Sequence, residues 1–120
     1  MAIDGLWTVQ FSKSEEDHGG IQLEEQINRG GILVFNRNRV YGGGISYYFV
    51  GTYKETSSGI TITVNAMKYN DLVTGPFGTM DEVRFIFNGT VAGKTMKLHG
   101  HVEDQPDKKM FITAERRAEL

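Results

Sequence analysis

At 120 residues, with a net charge of −2 and no cysteine, the chain is sized for one domain that buries roughly two-thirds of its unfolded surface without disulfides, Cys-bound zinc or a thiol nucleophile. The basic residues are dispersed, so there is no electrostatic footprint for a phosphate backbone and direct nucleic-acid binding is not expected. The longest apolar run, Ile32-Leu33-Val34-Phe35, is far too short to span a bilayer, and no basic-then-apolar leader opens the chain, so a cytoplasmic protein without a membrane segment is expected.

Fifteen glycines against two prolines suit curved β-structure, where glycine marks bulges, corners and close strand approach. The first strand covers residues 6–12, entered through Gly5-Leu6-Trp7, with Trp7, Val9 and Phe11 alternating against Thr8, Gln10 and Ser12. Residues 13–30 then make a long excursion, acidic at first through Glu15-Glu16-Asp17-His18. Its second half reads as a strand on Ile21 and Leu23 or as a short helix on Leu23 and Ile27.

From Gly31 the pattern is regular. Ile32 to Phe35 pairs with Arg39 to Gly42 through Asn36-Arg37-Asn38, residues that tolerate left-handed backbone. After the Gly42-Gly43-Gly44 corner comes a long strand over residues 47–55, with Tyr47, Phe49, Gly51 and Tyr53 on one face. Thr56-Ser57-Ser58-Gly59 turns the chain into Ile60, Ile62, Val64 and Ala66, which alternate with threonine and asparagine. Residues 68–80 cross one end of the structure. Val83, Phe85 and Phe87 mark the next strand, and Met96, Leu98, Gly100 and Val102 the one after. The turn between them falls at Asn88-Gly89 or at Ala92-Gly93-Lys94, the latter preferred because it leaves strands of matched length. The last strand runs from Lys109 to about Arg116, after Asp104-Gln105-Pro106-Asp107.

Eight antiparallel strands in hairpin order, each with one apolar face, bury those faces by closing on themselves. The predicted fold is therefore an all-β, up-and-down barrel of about eight strands, lipocalin-like, with a long loop after strand one. With Trp7, Phe11, Phe49, Tyr53, Phe85 and Phe87 inward, its interior is mostly filled. A tryptophan at the start of such a barrel commonly packs under a cation from the last strand, which makes Trp7 and Arg116 a candidate plug, with Arg117 the alternative if the strand shifts by one.

Little in the chain points to chemistry. His99, His101 and Glu103 place two imidazoles and a carboxylate on one strand face, a spacing that holds zinc or nickel only if a further ligand completes the shell. The simpler reading is a solvent-facing stripe opposite Met96, Leu98 and Val102, so neither metal nor cofactor is expected. Gly93-Lys94-Thr95 lacks the upstream glycine and the following helix of a phosphate-binding loop. No nucleophile, base and orienting group come together, so the chain is not read as an enzyme. Outward apolar residues are the remaining hint. Ile86 and Phe111 fall on outer strand faces and make a candidate dimer surface, and either Tyr47, Phe49 and Tyr53 or the alternate set Tyr48 and Val50 also faces out.

Several segments taken in order resemble the GrlR-like negative regulators of type III secretion. They are Asp4-Gly5-Leu6-Trp7 with Val9 and Phe11; Gly31-Ile32-Leu33-Val34; Gly42-Gly43 followed by Tyr48, Gly51 and Tyr53; Phe77-Gly78; and Gly89, Met96, Leu98 and Gly100. The resemblance implies a lipocalin-like barrel, a homodimer and a regulator that binds another protein such as a transcriptional activator. It also implies a partner-binding loop in the hairpin Glu55-Thr56-Ser57-Ser58, which carries one acid where enteric members carry four. The alternative role is binding of a small hydrophobic ligand in the interior, which requires an apolar cavity of roughly 300 Å³ or more.

Overall fold

The period-two patterning becomes eight strands in the computed structural model, which describes residues 3–12, 30–57, 59–70 and 81–120. They are β1 (Gly5–Ser12), β2 (Gly30–Asn36), β3 (Arg39–Gly43), β4 (Tyr47–Thr56), β5 (Gly59–Lys68), β6 (Glu82–Ala92), β7 (Thr95–Val102) and β8 (Gln105–Glu119). Each strand pairs antiparallel with the next and β8 returns to β1, so the sheet closes as an up-and-down barrel and leaves no edge. The expected architecture is the observed one. The strand-or-helix alternative over residues 21–27 lies outside the described residues, as do His18 and Ser58.

The hairpins follow local chemistry. Arg37 and Asn38 carry φ of 50° and 70°, the left-handed pair that a two-residue turn needs to match the twist of its flanking strands. Between β6 and β7 the turn falls at Gly93-Lys94, where Gly93 has φ 62° and the Thr95 hydroxyl donates to the Ala92 carbonyl at 2.9 Å. This selects the second of the two positions the sequence allows.

β8 is longer than the expected 109 to 116 because it is irregular at both ends. Its ladder with β7 passes from His101 opposite Lys109 directly to Val102 opposite Gln105, so Pro106, Asp107 and Lys108 bulge out. Proline brings no amide hydrogen to a ladder and is tolerated there for that reason. Towards the other end, Trp7 pairs with Arg116 and Leu6 with Ala118, which leaves Arg117 as an extra residue. That bulge separates the directions of the two arginines.

The inner face is predominantly apolar. Trp7, Phe11, Phe49, Tyr53, Phe85 and Phe87 are all buried, as expected. Edge-to-face contacts join Trp7 to Phe35 at 6.0 Å, Phe35 to Tyr53 at 5.3 Å and Phe11 to Phe49 at 5.7 Å. The space left between Phe11, Phe49, Phe85, Phe87 and their aliphatic neighbours is about 20 Å³, near the volume a single water needs, and its lining is apolar. The polarity is the inverse of a membrane-spanning barrel, which turns its apolar residues outward. Among the described residues no helix is long and apolar enough to cross a membrane.

Candidate functional site

One end of the barrel is sealed by the residues that open and close the chain. Trp7 is fully buried, donates its indole hydrogen to the Ile3 carbonyl at 2.9 Å, and lies under the Arg116 guanidinium, 5.4 Å from the ring centroid. Glu119, 3.6 Å away, steadies that cation, and Arg116 keeps only 15% of its side chain exposed. A cation so desolvated over an indole contributes about 1–2 kcal/mol. Arg117 points outside instead, donating to Thr8 Oγ1 at 2.9 Å and pairing with Glu115 at 2.8 Å. The choice between the two arginines is made by the β8 bulge.

Beside the plug, the Tyr53 hydroxyl donates to Asp4 Oδ1 at 2.5 Å, and the Tyr53 amide donates to the Asn38 carbonyl at 3.1 Å. Burial first, and then the carboxylate it bonds, push the Tyr53 hydroxyl from 10.0 up to about 12. The same hydrogen bond is the chief reason Asp4 sits below its ordinary value of 3.8. The raised Tyr53 value stabilises the fold fully below pH 10 and less as pH climbs towards 12. The lowered Asp4 value does so above about pH 4 and is lost on further acidification. Tyr53→Phe is expected to cost about 1–2 kcal/mol near neutrality and to flatten the alkaline loss of stability. Denaturant melts taken across that range check it, and an alkaline limb unchanged by the substitution would contradict the assignment.

The hairpin after β4 presents little charge. Glu55 shares the inward parity of Phe49, Gly51 and Tyr53 and is half-buried, with Oε1 enclosed and without a hydrogen-bond partner among the described residues. Thr56 donates to the Gly59 carbonyl at 3.3 Å, and Ser57 is exposed. The one acid of this loop therefore lies on the inward-facing parity of β4.

His99 and His101 lie on the outer face of β7, opposite Asn88 and Ile86 of β6. Glu103 is held by Arg84 at 2.9 Å, and His101 Nδ1 lies 2.7 Å from the Val102 carbonyl oxygen. Among the described residues no three histidine or carboxylate side chains gather closely enough to hold a metal ion. Calorimetric titration with zinc is expected to show no sub-micromolar site, and a tight stoichiometric one on His99 and His101 would contradict this geometry.

Among the described residues, exposed large hydrophobic side chains gather on the outer face of β2, β3 and β4, continuing onto β5. Register aligns Val34, Tyr41 and Val50 in one row and Ile32, Gly43, Tyr48 and Met67 in the next. Ile32, Tyr41 and Tyr48 are each 42–45% exposed, and Tyr69 beyond them is 55% exposed. Neither row contains a charged side chain. The rings are held in place: Tyr48 lies 6.5 Å from Tyr69 and donates to Met67 Sδ at 3.4 Å, while Tyr69 donates to the Gly44 carbonyl at 2.6 Å. A large, fixed aromatic surface of this kind is what interfaces enrich in.

Ile86 and Phe111 do face outward, yet both are half-buried and sit diagonally across β7 with the imidazoles between them. Sequence reading offered Tyr48 and Val50 only as an alternate outward set and did not single out Ile32, Val34 or Tyr41. Alternation within one strand cannot show that outward residues of three strands meet in one row; the ladder register does. Compared with known proteins, the chain matches no family profile and no curated protein.

Proposed function

We propose that the protein is a non-enzymatic regulatory binding module that acts as a homodimer and holds a partner protein, as its resemblance to the negative regulators of type III secretion implies. A transcriptional activator is the partner class that the resemblance suggests. The observation that carries the binding role is the uncharged aromatic face of β2 to β4. A two-fold interface lays the same patch against itself, so charged residues near its axis meet their own kind. Ile32, Tyr41 and Tyr48 meet themselves without repulsion. The surface around Ile86 and Phe111, bordered by Lys97 and Lys109, does not, and we therefore place the dimer contact on the aromatic face.

The interior supports this reading over that of a carrier. About 20 Å³ of internal space is far below the roughly 300 Å³ of a small-molecule pocket. Light scattering at micromolar concentration is expected to return twice the 13.4 kDa of one chain. A monomeric mass throughout that range would contradict the proposal.

A further inference from the structure

We propose that the outer face of β7 and β8 is a docking surface for an acidic segment of a partner protein, which rests on the binding role above and names the chemistry of the partner. β7 points Lys97, His99 and His101 outward, and β8 brings Phe111 opposite His99 and Lys109 opposite His101. Lys97 and Lys109 are exposed and have no carboxylate within ion-pair distance among the described residues. Of the carboxylates bordering the strip, Glu103 is engaged by Arg84 at 2.9 Å and Glu115 by Arg117 at 2.8 Å, while Asp104 and Asp107 are exposed with Lys108 beyond its Lys109 end. A chain of net charge −2 thus sets two lysines that are not ion-paired, Lys97 and Lys109, on either side of the imidazoles.

The strip also has an apolar centre. An open groove of about 580 Å³, lined by Thr8, Gln10, Thr113, Glu115 and Arg117 among others, lies beside the strip and meets it only at Lys97. Phe111 and Ile86, half-buried beside the imidazoles, offer contact for an apolar side chain between acidic ones. Carboxylates of the partner pair with Lys97 and Lys109 at the rim, where opposite charge steers the encounter and fixes register. A nucleic-acid strand fits less well. Two free lysines neutralise few phosphates, and base stacking needs a more exposed ring than a half-buried Phe111. The strip on β7 and β8 lies across the closed barrel from β3 and β4 of the aromatic face, so both can be occupied at once.

The test is fluorescence anisotropy with a labelled glutamate-rich peptide carrying spaced leucines. The unmodified protein is expected to bind it, and Lys97→Glu/Lys109→Glu to weaken binding about tenfold or more. Rising salt should weaken it too, as the screening length shortens to about 8 Å at physiological ionic strength. Phe111→Ser should weaken binding, and Arg39→Glu/Lys54→Glu, on β3 and β4, should leave it unchanged. All these side chains lie outside the core, and circular dichroism confirms that each variant is folded. Absence of binding, binding indifferent to the β7 and β8 charge reversal, or equal affinity for oligothymidine would overturn the proposal. Tyr41→Lys/Tyr48→Lys, which disables the aromatic face, is expected to bind the peptide normally, so failure of the dimer and failure of this docking surface are read separately. Loss of peptide binding in that folded variant would count against the assignment.

Discussion

Replacing Trp7 with alanine is expected to lower stability by about 3–5 kcal/mol, the range for removing a large buried aromatic. Three losses add up at this position: the packing against Phe35, the indole bond to the Ile3 carbonyl, and the cation contact with Arg116. Truncation leaves the guanidinium above a void at the sealed end of the barrel, with Glu119 still 3.6 Å from it. Domains of this size have about 5–15 kcal/mol in total, so the variant should sit close to unfolding. Chemical denaturation followed by circular dichroism gives the difference directly. A midpoint unmoved by Trp7→Ala would show that the sealed end contributes nothing to holding the barrel closed.

A comparable loss is expected at Gly100, for a different reason. A Cβ there would lie 2.0 Å from the Ile86 carbonyl oxygen and 2.6 Å from Phe87 Cδ1. Neither can step aside cheaply, because the carbonyl belongs to the neighbouring strand and the ring is packed in the core. Gly100→Ala should cost about 3 kcal/mol, as overpacking of a tight interior does. Gly93→Ala is the control. Its turn has open space around it and only a left-handed φ of 62° to accommodate, so about 1 kcal/mol is expected. Equal costs at the two positions would mean that curvature at Gly100 does not depend on the absence of a side chain.

Strand existence was legible in the sequence because each apolar face alternates with threonine, asparagine or charge, as in Ile60 to Ala66. The inward aromatics follow from the same alternation and were placed on the correct side. What the pattern could not supply was register. Whether Arg116 or Arg117 covers Trp7 depends on one bulged residue in β8, and a period of two has no means of announcing it. Pro106 and Asp107 look like loop residues and nevertheless lie within β8 as a bulge. Ile32, Tyr41 and Tyr48 are unremarkable singly, and become a surface only when β2, β3 and β4 are aligned. Charge hides in the same way: Lys97 and Lys109 are twelve positions apart in sequence and adjoin one strip when β7 meets β8.

The central claim is that the barrel works by its outer faces, with the neutral aromatic one joining two copies. Sedimentation velocity on two folded variants tests it most directly. Tyr41→Lys/Tyr48→Lys sets positive charge against its own copy across the two-fold and is expected to sediment as a 13.4 kDa monomer. Ile86→Lys/Phe111→Lys, on the opposite side of the barrel, is expected to remain a dimer. The reverse result, a dimer with lysine at positions 41 and 48 and a monomer with lysine at 86 and 111, would contradict the account.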